Sequence, residues 1–228
     1  MISLPTYPKI NTIFNRDPTK GKKNNLIIGE FSCPEFEYLQ DTEWLFTEKI
    51  DGMNIRIHRP ANTKTVFLGG RDNNSQIPAD LVNFLNQRFV ANLPFHNLFD
   101  DDSEVTIFGE GYGIGIGPGG NYLDSGCGFI LFDILIGSFW LYRKDILNIA
   151  GNLGLDVVPE LGSGTLEDAV DIAQQGFPSQ LSAANQEIGL RSKSVSTPLA
   201  EGIVLRPAID LFNHKKERIM AKIKHKDF

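Results

Sequence analysis

Cysteine is scarce in this chain, with two residues, Cys33 and Cys127, among 228. Two thiols so far apart form no disulfide framework and no zinc-ligand spacing, so cytosolic thiols are the simplest reading. Long apolar runs are also missing. The most apolar stretch, Phe129 to Tyr142, contains Asp133 and is shorter than the ~20 residues a bilayer-spanning helix needs. It reads as buried strands. No N-terminal stretch has the form of a signal peptide, and the expectation is a soluble cytoplasmic protein without a membrane partner. Positive charge is not in excess: 22 Lys and Arg stand against 28 Asp and Glu, a net charge of −6. That balance opposes a general nucleic-acid coat, whose domains are usually basic. It leaves room for a local grip, because Lys215, Lys216, Arg218, Lys222, Lys224 and Lys226 crowd the last stretch of the sequence.

Two phosphate-binding signatures are excluded in turn. No Gly-Lys-Ser/Thr occurs, so there is no Walker loop. Gly115-Ile-Gly117-Pro118-Gly-Gly120 formally satisfies G-x-G-x-x-G. That fingerprint requires a helix immediately afterwards, whose N-terminus holds the pyrophosphate. Here the chain continues through Asn121, Tyr122 and Leu123 towards a strand, with Pro118 inside the would-be turn. A loop is the better reading.

What remains is ordinary globular composition, 41% hydrophobic and 22% charged, with 16 Phe for a ring-rich core. Residues 1–43 mix turn formers (Asp17-Pro18, Gly21 with Lys22 and Lys23) with short apolar runs and read as an N-terminal wrapping segment. From Trp44 the pattern alternates through Lys49, breaks at Asp51-Gly52 and resumes at Asn54–His58, which predicts strand, hairpin turn, strand. Further strands are expected over 65–68, 105–108, 129–135, 139–142, 203–205 and 219–223. Helical spacing predicts helices over 78–93, 143–152, 166–175 and 180–190. Irregularly spaced strands with helices between them predict an α+β fold of antiparallel sheets flanked by helices.

Several short stretches carry chemistry. Lys49, at a strand end ahead of Asp51-Gly52, can project its amine into a pocket. Attack on phosphorus needs a neutral amine, so the ordinary lysine pKa of about 10.4 has to be lowered by burial or by nearby cations. An exposed lysine ahead of a turn is the bland alternative. Arg71 closes the Gly69-Gly70 strand end. Phe108-Gly109-Glu110-Gly111 places a carboxylate at a strand end beside glycine, where backbone can approach a ligand closely. Phe132 is a ring among apolar neighbours, and plain core is its alternative. Glu201 precedes a strand and suits a divalent metal. Lys222 and Lys224 alternate onto one strand face, where they can meet a phosphate or simply be solvated.

The ordered set EKIDGMNIRI, GGR, FGEGYG, FILFDI, EGIVLRP and AKIK resembles the ATP-dependent RNA ligases, and among them the phage-type enzymes that seal RNA nicks. These belong with DNA ligases and mRNA capping enzymes to the covalent nucleotidyltransferases. The resemblance runs from about residue 44 to the end, and it implies a nucleotidyltransferase catalytic domain, ATP-grasp-like in class. It also implies ATP with Mg²⁺ or Mn²⁺ as cofactors. By this resemblance Lys49 forms the lysyl–AMP bond, and Glu48 and Asn54 contact the nucleotide or the end being joined. Arg71 engages phosphate, Glu110 the ribose, Phe132 the adenine, Lys222 and Lys224 the α-phosphate, and Glu201 the metal. The implied partners are RNA ends or a nicked duplex, an RNA/DNA hybrid included, in a host cytoplasm if the source is a phage.

The chain departs from the family pattern at Met53, where many relatives carry a small hydroxyl residue. It also ends four residues after Lys224, where relatives continue into a further domain. The expectation is therefore a single nucleotidyltransferase domain over 1–228 without a C-terminal accessory domain, with a separate nucleic-acid-binding partner to compensate. The rivals are a DNA ligase-like nick-sealing enzyme and a non-catalytic nucleotide- or nucleic-acid-binding protein that keeps the fold. A capping guanylyltransferase fits less well, since that group carries an appended oligonucleotide-binding domain.

Overall fold

The computed structural model describes residues 4–19, 26–91, 93–117 and 119–228. The turn formers expected at Gly21, Lys22 and Lys23, and Pro118 of the glycine loop, lie outside the described residues. Along the chain come strands β1 (Asn11–Thr12), β2 (Phe14–Arg16) and β3 (Leu26–Phe31), helix α1 (Pro34–Tyr38), then β4 (Trp44–Lys49), β5 (Met53–Arg59) and β6 (Phe67–Gly69). Helix α2 (Ala79–Leu85) runs into a wide turn over Asn86–Val90, and α3 (Leu93–Leu98) follows. Next are β7 (Val105–Gly113), β8 (Cys127–Ile136), β9 (Phe139–Trp140), α4 (Arg143–Leu153), β10 (Glu160–Gly164) and α5 (Leu166–Gln175). Helix α6 (Gln180–Glu187), β11 (Gly202–Pro207) and β12 (Ala221–Lys224) follow, and short 3-10 turns lie over Gly119–Tyr122 and His225–Asp227. The chain folds as two compact units drawn from separated segments, one from Met1–Tyr7, Asp51–Val158 and Ala184–Val195, the other from Pro8–Ile50, Pro159–Ala183 and Ser196–Phe228.

The first unit is built on a five-stranded antiparallel sheet in the order β6-β5-β7-β8-β9. One face packs Ile55, Ile57, Val105, Ile107 and Leu131 against Leu81 and Leu85 of α2 and Ile146 and Ala150 of α4. The period of two in the strands and the 3.6-residue period in the helices put these side chains on facing surfaces. Helix α4 ends on Gly154, whose φ of 60° is the left-handed turn that closes a helix.

The second unit carries a sheet in the order β1-β12-β11-β4-β10, antiparallel except for β1 beside β12, and a separate β2-β3 pair. Trp44, Phe46, Ile203, Leu205, Ala221 and Ile223 form its apolar face and pack on Leu166, Ala169, Val170 and Ala173 of α5. That helix starts at a reciprocal cap: Thr165 accepts from the Asp168 N–H, and Asp168 accepts from the Thr165 N–H.

Three expectations are corrected. The stretch around Asp51-Gly52 is no hairpin: β4 is flanked by β11 and β10, while β5 is flanked by β6 and β7, so neither strand has an edge left for the other. Strand β7 runs on through Gly113, so Glu110 lies within a strand. Its glycine neighbours are packing devices, since a Cβ on Gly109 would sit 2.2 Å from the Phe129 ring and one on Gly111 would sit 2.5 Å from Leu81. Strands β1, β2, β3 and β10 were not legible. The first two have two and three residues, too few for a period, and Glu160–Gly164 is a strand because β4 pairs with it across a bulge.

Candidate active site

The second unit gathers four of the expected residues at one end of its sheet. In β4, Trp44, Phe46 and Glu48 are buried and Leu45, Thr47 and Lys49 alternate away from them. Lys49 pairs with Gly202 of β11, and Gly202 pairs on its other side with Lys224 of β12. Paired residues in antiparallel strands point to the same face, so Lys49 and Lys224 flank β11 in one row. Lys222 lies in the next row, opposite Val204 and Thr47. Gly202 has a steric reason: a Cβ there would fall 2.1 Å from the Ile223 carbonyl oxygen.

Glu201, next to this glycine, is drawn between the two ammonium groups. Its Oε1 accepts from Lys224 Nζ at 2.5 Å, and its Oε2 accepts from Lys49 Nζ. The carboxylate is buried, at 6% side-chain exposure, whereas both lysines keep 21%. Burial alone would push the Glu201 carboxyl up. The Lys49 charge, the two hydrogen bonds and the Lys224 charge outweigh it and hold the group below the usual carboxylate value. Two cations sharing one anion leave a net positive row end, with Lys222 beside it. Such a place attracts a polyphosphate and holds an amine at its centre.

Glu48 points the other way. Its carboxylate accepts from the Ser179 hydroxyl at 2.5 Å and from the backbone N–H groups of Gln180 and Leu181 at 2.9 and 3.1 Å. It thereby caps α6, where a negative charge meets the positive end of the helix. Burial nonetheless pushes its carboxyl above the ordinary value, against those hydrogen bonds. Glu48→Ala should strip three partners at once and destabilise the protein by about 1–3 kcal/mol, read by denaturant unfolding. An unchanged stability with weakened nucleotide binding would return Glu48 to the ligand.

The first unit holds the other candidates on its own sheet. Asn54 of β5 pairs with Glu110 of β7, so the two side chains share a face and a row. The Asn54 Oδ1 is buried and has no hydrogen-bond partner, an acceptor left for a donor that the described residues do not supply. Arg71 is exposed just beyond β6. Phe132 sits in a bulge: Phe108 pairs with Asp133 and Gly109 with Leu131, which leaves Phe132 as the extra residue of β8. Bulges re-aim side chains and recur beside active sites.

The model of the family described as RNA ligase matches residues 42–224. The chain belongs to the RNA ligase family. Solved structures of one relative agree in fold. An apo form of Naegleria gruberi RNA ligase superimposes with a TM-score of 0.60 at 16% identity, covering 99% of this chain and 58% of that one. A form with ATP and Mn gives 0.62 at 18% identity, covering 100% and 64%. A form with PPi gives 0.60 at 18% identity, covering 96% and 61%. This chain therefore spans roughly three-fifths of the length of those ligases. No curated protein matches it.

Within this RNA ligase family member, the structure joins Lys49, Glu201 and Lys224 by direct contact, with Lys222 a row away. It pairs Asn54 with Glu110, turns Glu48 to the opposite face of β4 from Lys49, and leaves Arg71 in solvent. Sequence reasoning missed Ser179, the hydroxyl that binds Glu48, and Tyr7, whose OH donates to Asp133 Oδ2 at 2.7 Å. Neither belongs to a recognisable motif. The only local hint is that Ser179 stands one residue before a helical run.

Proposed function

We propose that this chain is the catalytic portion of an ATP-dependent RNA ligase, with Lys49 as the nucleophile. One observation carries the reading: an amine and a second cation share a single buried carboxylate at one sheet end. That is the group set for moving a phosphoryl-linked nucleotide onto nitrogen. The neutral Lys49 Nζ attacks the α-phosphorus of ATP. An N–P bond forms, the α–β P–O bond breaks, pyrophosphate leaves, and the amine gives up a proton. A 5′-phosphate oxygen of RNA then attacks the same phosphorus, breaks the N–P bond and takes the AMP. Finally a 3′-hydroxyl oxygen attacks the 5′-phosphorus, closes the strand and releases AMP.

Each residue has a part in this. Lys222 and Lys224 offset the negative charge that develops on the α-phosphate. Glu110 accepts from the ribose, Asn54 contacts the nucleotide, Phe132 stacks on adenine, and Arg71 engages phosphate. A divalent ion fits the donor set. Among the described residues no group of three or more acidic, His or Cys side chains could hold a metal. Mg²⁺ is typically bound by one or two carboxylates together with substrate phosphates. Glu201 would supply the carboxylate and the nucleotide the rest, and a form of the Naegleria enzyme was solved with ATP and Mn. The ion would supply charge neutralisation on the triphosphate.

The decisive experiment offers α-labelled ATP, GTP and NAD with Mg²⁺ or Mn²⁺, followed by 5′-phosphorylated RNA, RNA/DNA and DNA nicks. Label from ATP alone should become covalent, and RNA 3′-hydroxyl ends should be joined. Covalent label from GTP, or sealing confined to DNA, would overturn the RNA ligase reading in favour of its relatives. Absence of any covalent label would leave the non-catalytic binding protein.

A further inference from the structure

We infer that Tyr7 is a positioning residue for the base-binding ring, holding Phe132 in the orientation with which it meets adenine. This rests on the stacking role of Phe132 proposed above. Phe132 is the extra residue of a bulge, where the ladder is locally disrupted and neighbouring side chains help to set how the ring is presented. Tyr7 lies against it edge-on, with ring centroids 4.9 Å apart and planes at 72°. The same Tyr7 ring contacts Phe108 at 5.1 Å and Trp140 at 5.5 Å, and edge-on aromatic pairs are a favoured, orientation-specific arrangement.

Tyr7 is itself held at both ends. Its hydroxyl donates to Asp133, the fully buried residue next to Phe132, whose other carboxylate oxygen accepts from the Ile134 N–H at 3.1 Å. The chain leading to Tyr7 is pinned by Arg56, which donates to the carbonyl oxygens of Leu4 and Pro5 at 3.0 and 3.4 Å and to that of Gly70 at 2.6 Å. Arg56 is 1% exposed and stands in the middle of β5. The segment ahead of the motifs thus serves the base site of the first unit.

The test is self-adenylylation kinetics on the full chain. Tyr7→Leu and Tyr7→Ala should raise the KM for ATP about two- to tenfold, the effect of losing one aromatic pair, with kcat at saturating ATP within about twofold of the parent. Inhibition by inorganic triphosphate, which has no base to stack, should be unchanged. Tyr7→Phe, which keeps the ring and loses only the bond to Asp133, should stay near the parent KM. Tyr7→Leu is the variant to rely on if Tyr7→Ala folds poorly, because it preserves apolar volume. A raised ATP KM in Phe132→Ala with no change in Tyr7→Leu would overturn the inference and leave the stacking role intact. Equal weakening of ATP and triphosphate in the Tyr7 variants would also overturn it, by showing a general structural role. Unchanged ATP kinetics in Phe132→Ala would refute the stacking role and this inference with it.

Discussion

Lys49→Ala should leave no covalent nucleotide on the protein after incubation with ATP and Mg²⁺ or Mn²⁺. The parent chain should carry one AMP in a bond that acid breaks and base spares, as expected of a phosphoramidate. Intact-mass measurement reads the adduct, and peptide mapping places it. The structural reason is positional. Lys49 ends β4 on the face away from the core, its amine is drawn to Glu201, and Lys224 stands across Gly202 in the same row. Among the described residues no other lysine occupies that place, so an adduct that persists in Lys49→Ala or maps elsewhere would sink the mechanism. The rest of the protein should tolerate the change. Removing a partly exposed amine releases Glu201 to a single partner, Lys224, without opening the apolar core.

The second large effect is expected at Glu201. Glu201→Ala leaves two ammonium groups facing each other without the carboxylate that binds both, Lys49 included. Adenylylation should fall by roughly 10²–10³, the usual cost of deleting one preorganised electrostatic group. A loss smaller than tenfold would mean that the carboxylate is structural only. The same residue gives a pH signature. Its folded-state pKa is lowered from the ordinary 4.5. Its contribution to stability is therefore complete above that value and is lost as pH falls through the folded value. Thermal melts across about pH 3 to 6 should show an acid limb in the parent that is shallower in Glu201→Gln. An identical limb in both proteins would show that the ion pair contributes nothing measurable to folding.

The local elements that carry the candidate groups were the legible part. The alternation around Lys49, the acidic residue ahead of Gly202 and the lysine pair on β12 are local features, and each element that carries them has a readable period. The helices expected over 143–152 and 166–175 were legible for the same reason, and they form over Arg143–Leu153 and Leu166–Gln175. The α+β class followed from the grouping of those elements.

What tertiary structure alone decided was partnership. An Asp-Gly between two strands reads as a hairpin, yet β4 and β5 belong to different sheets, since pairing depends on which edges distant strands have taken. Glu48 neighbours Lys49 in sequence but points to the opposite face, where Ser179, 131 residues later, receives it. The bulge at Phe132 exists only against the register of β7, and Tyr7 reaches Asp133 across 126 residues. The sequence determined which groups are available. The long-range register of the sheets determined which of them meet, because hydrogen-bonded strands fix side-chain direction residue by residue and no local pattern records the partner strand.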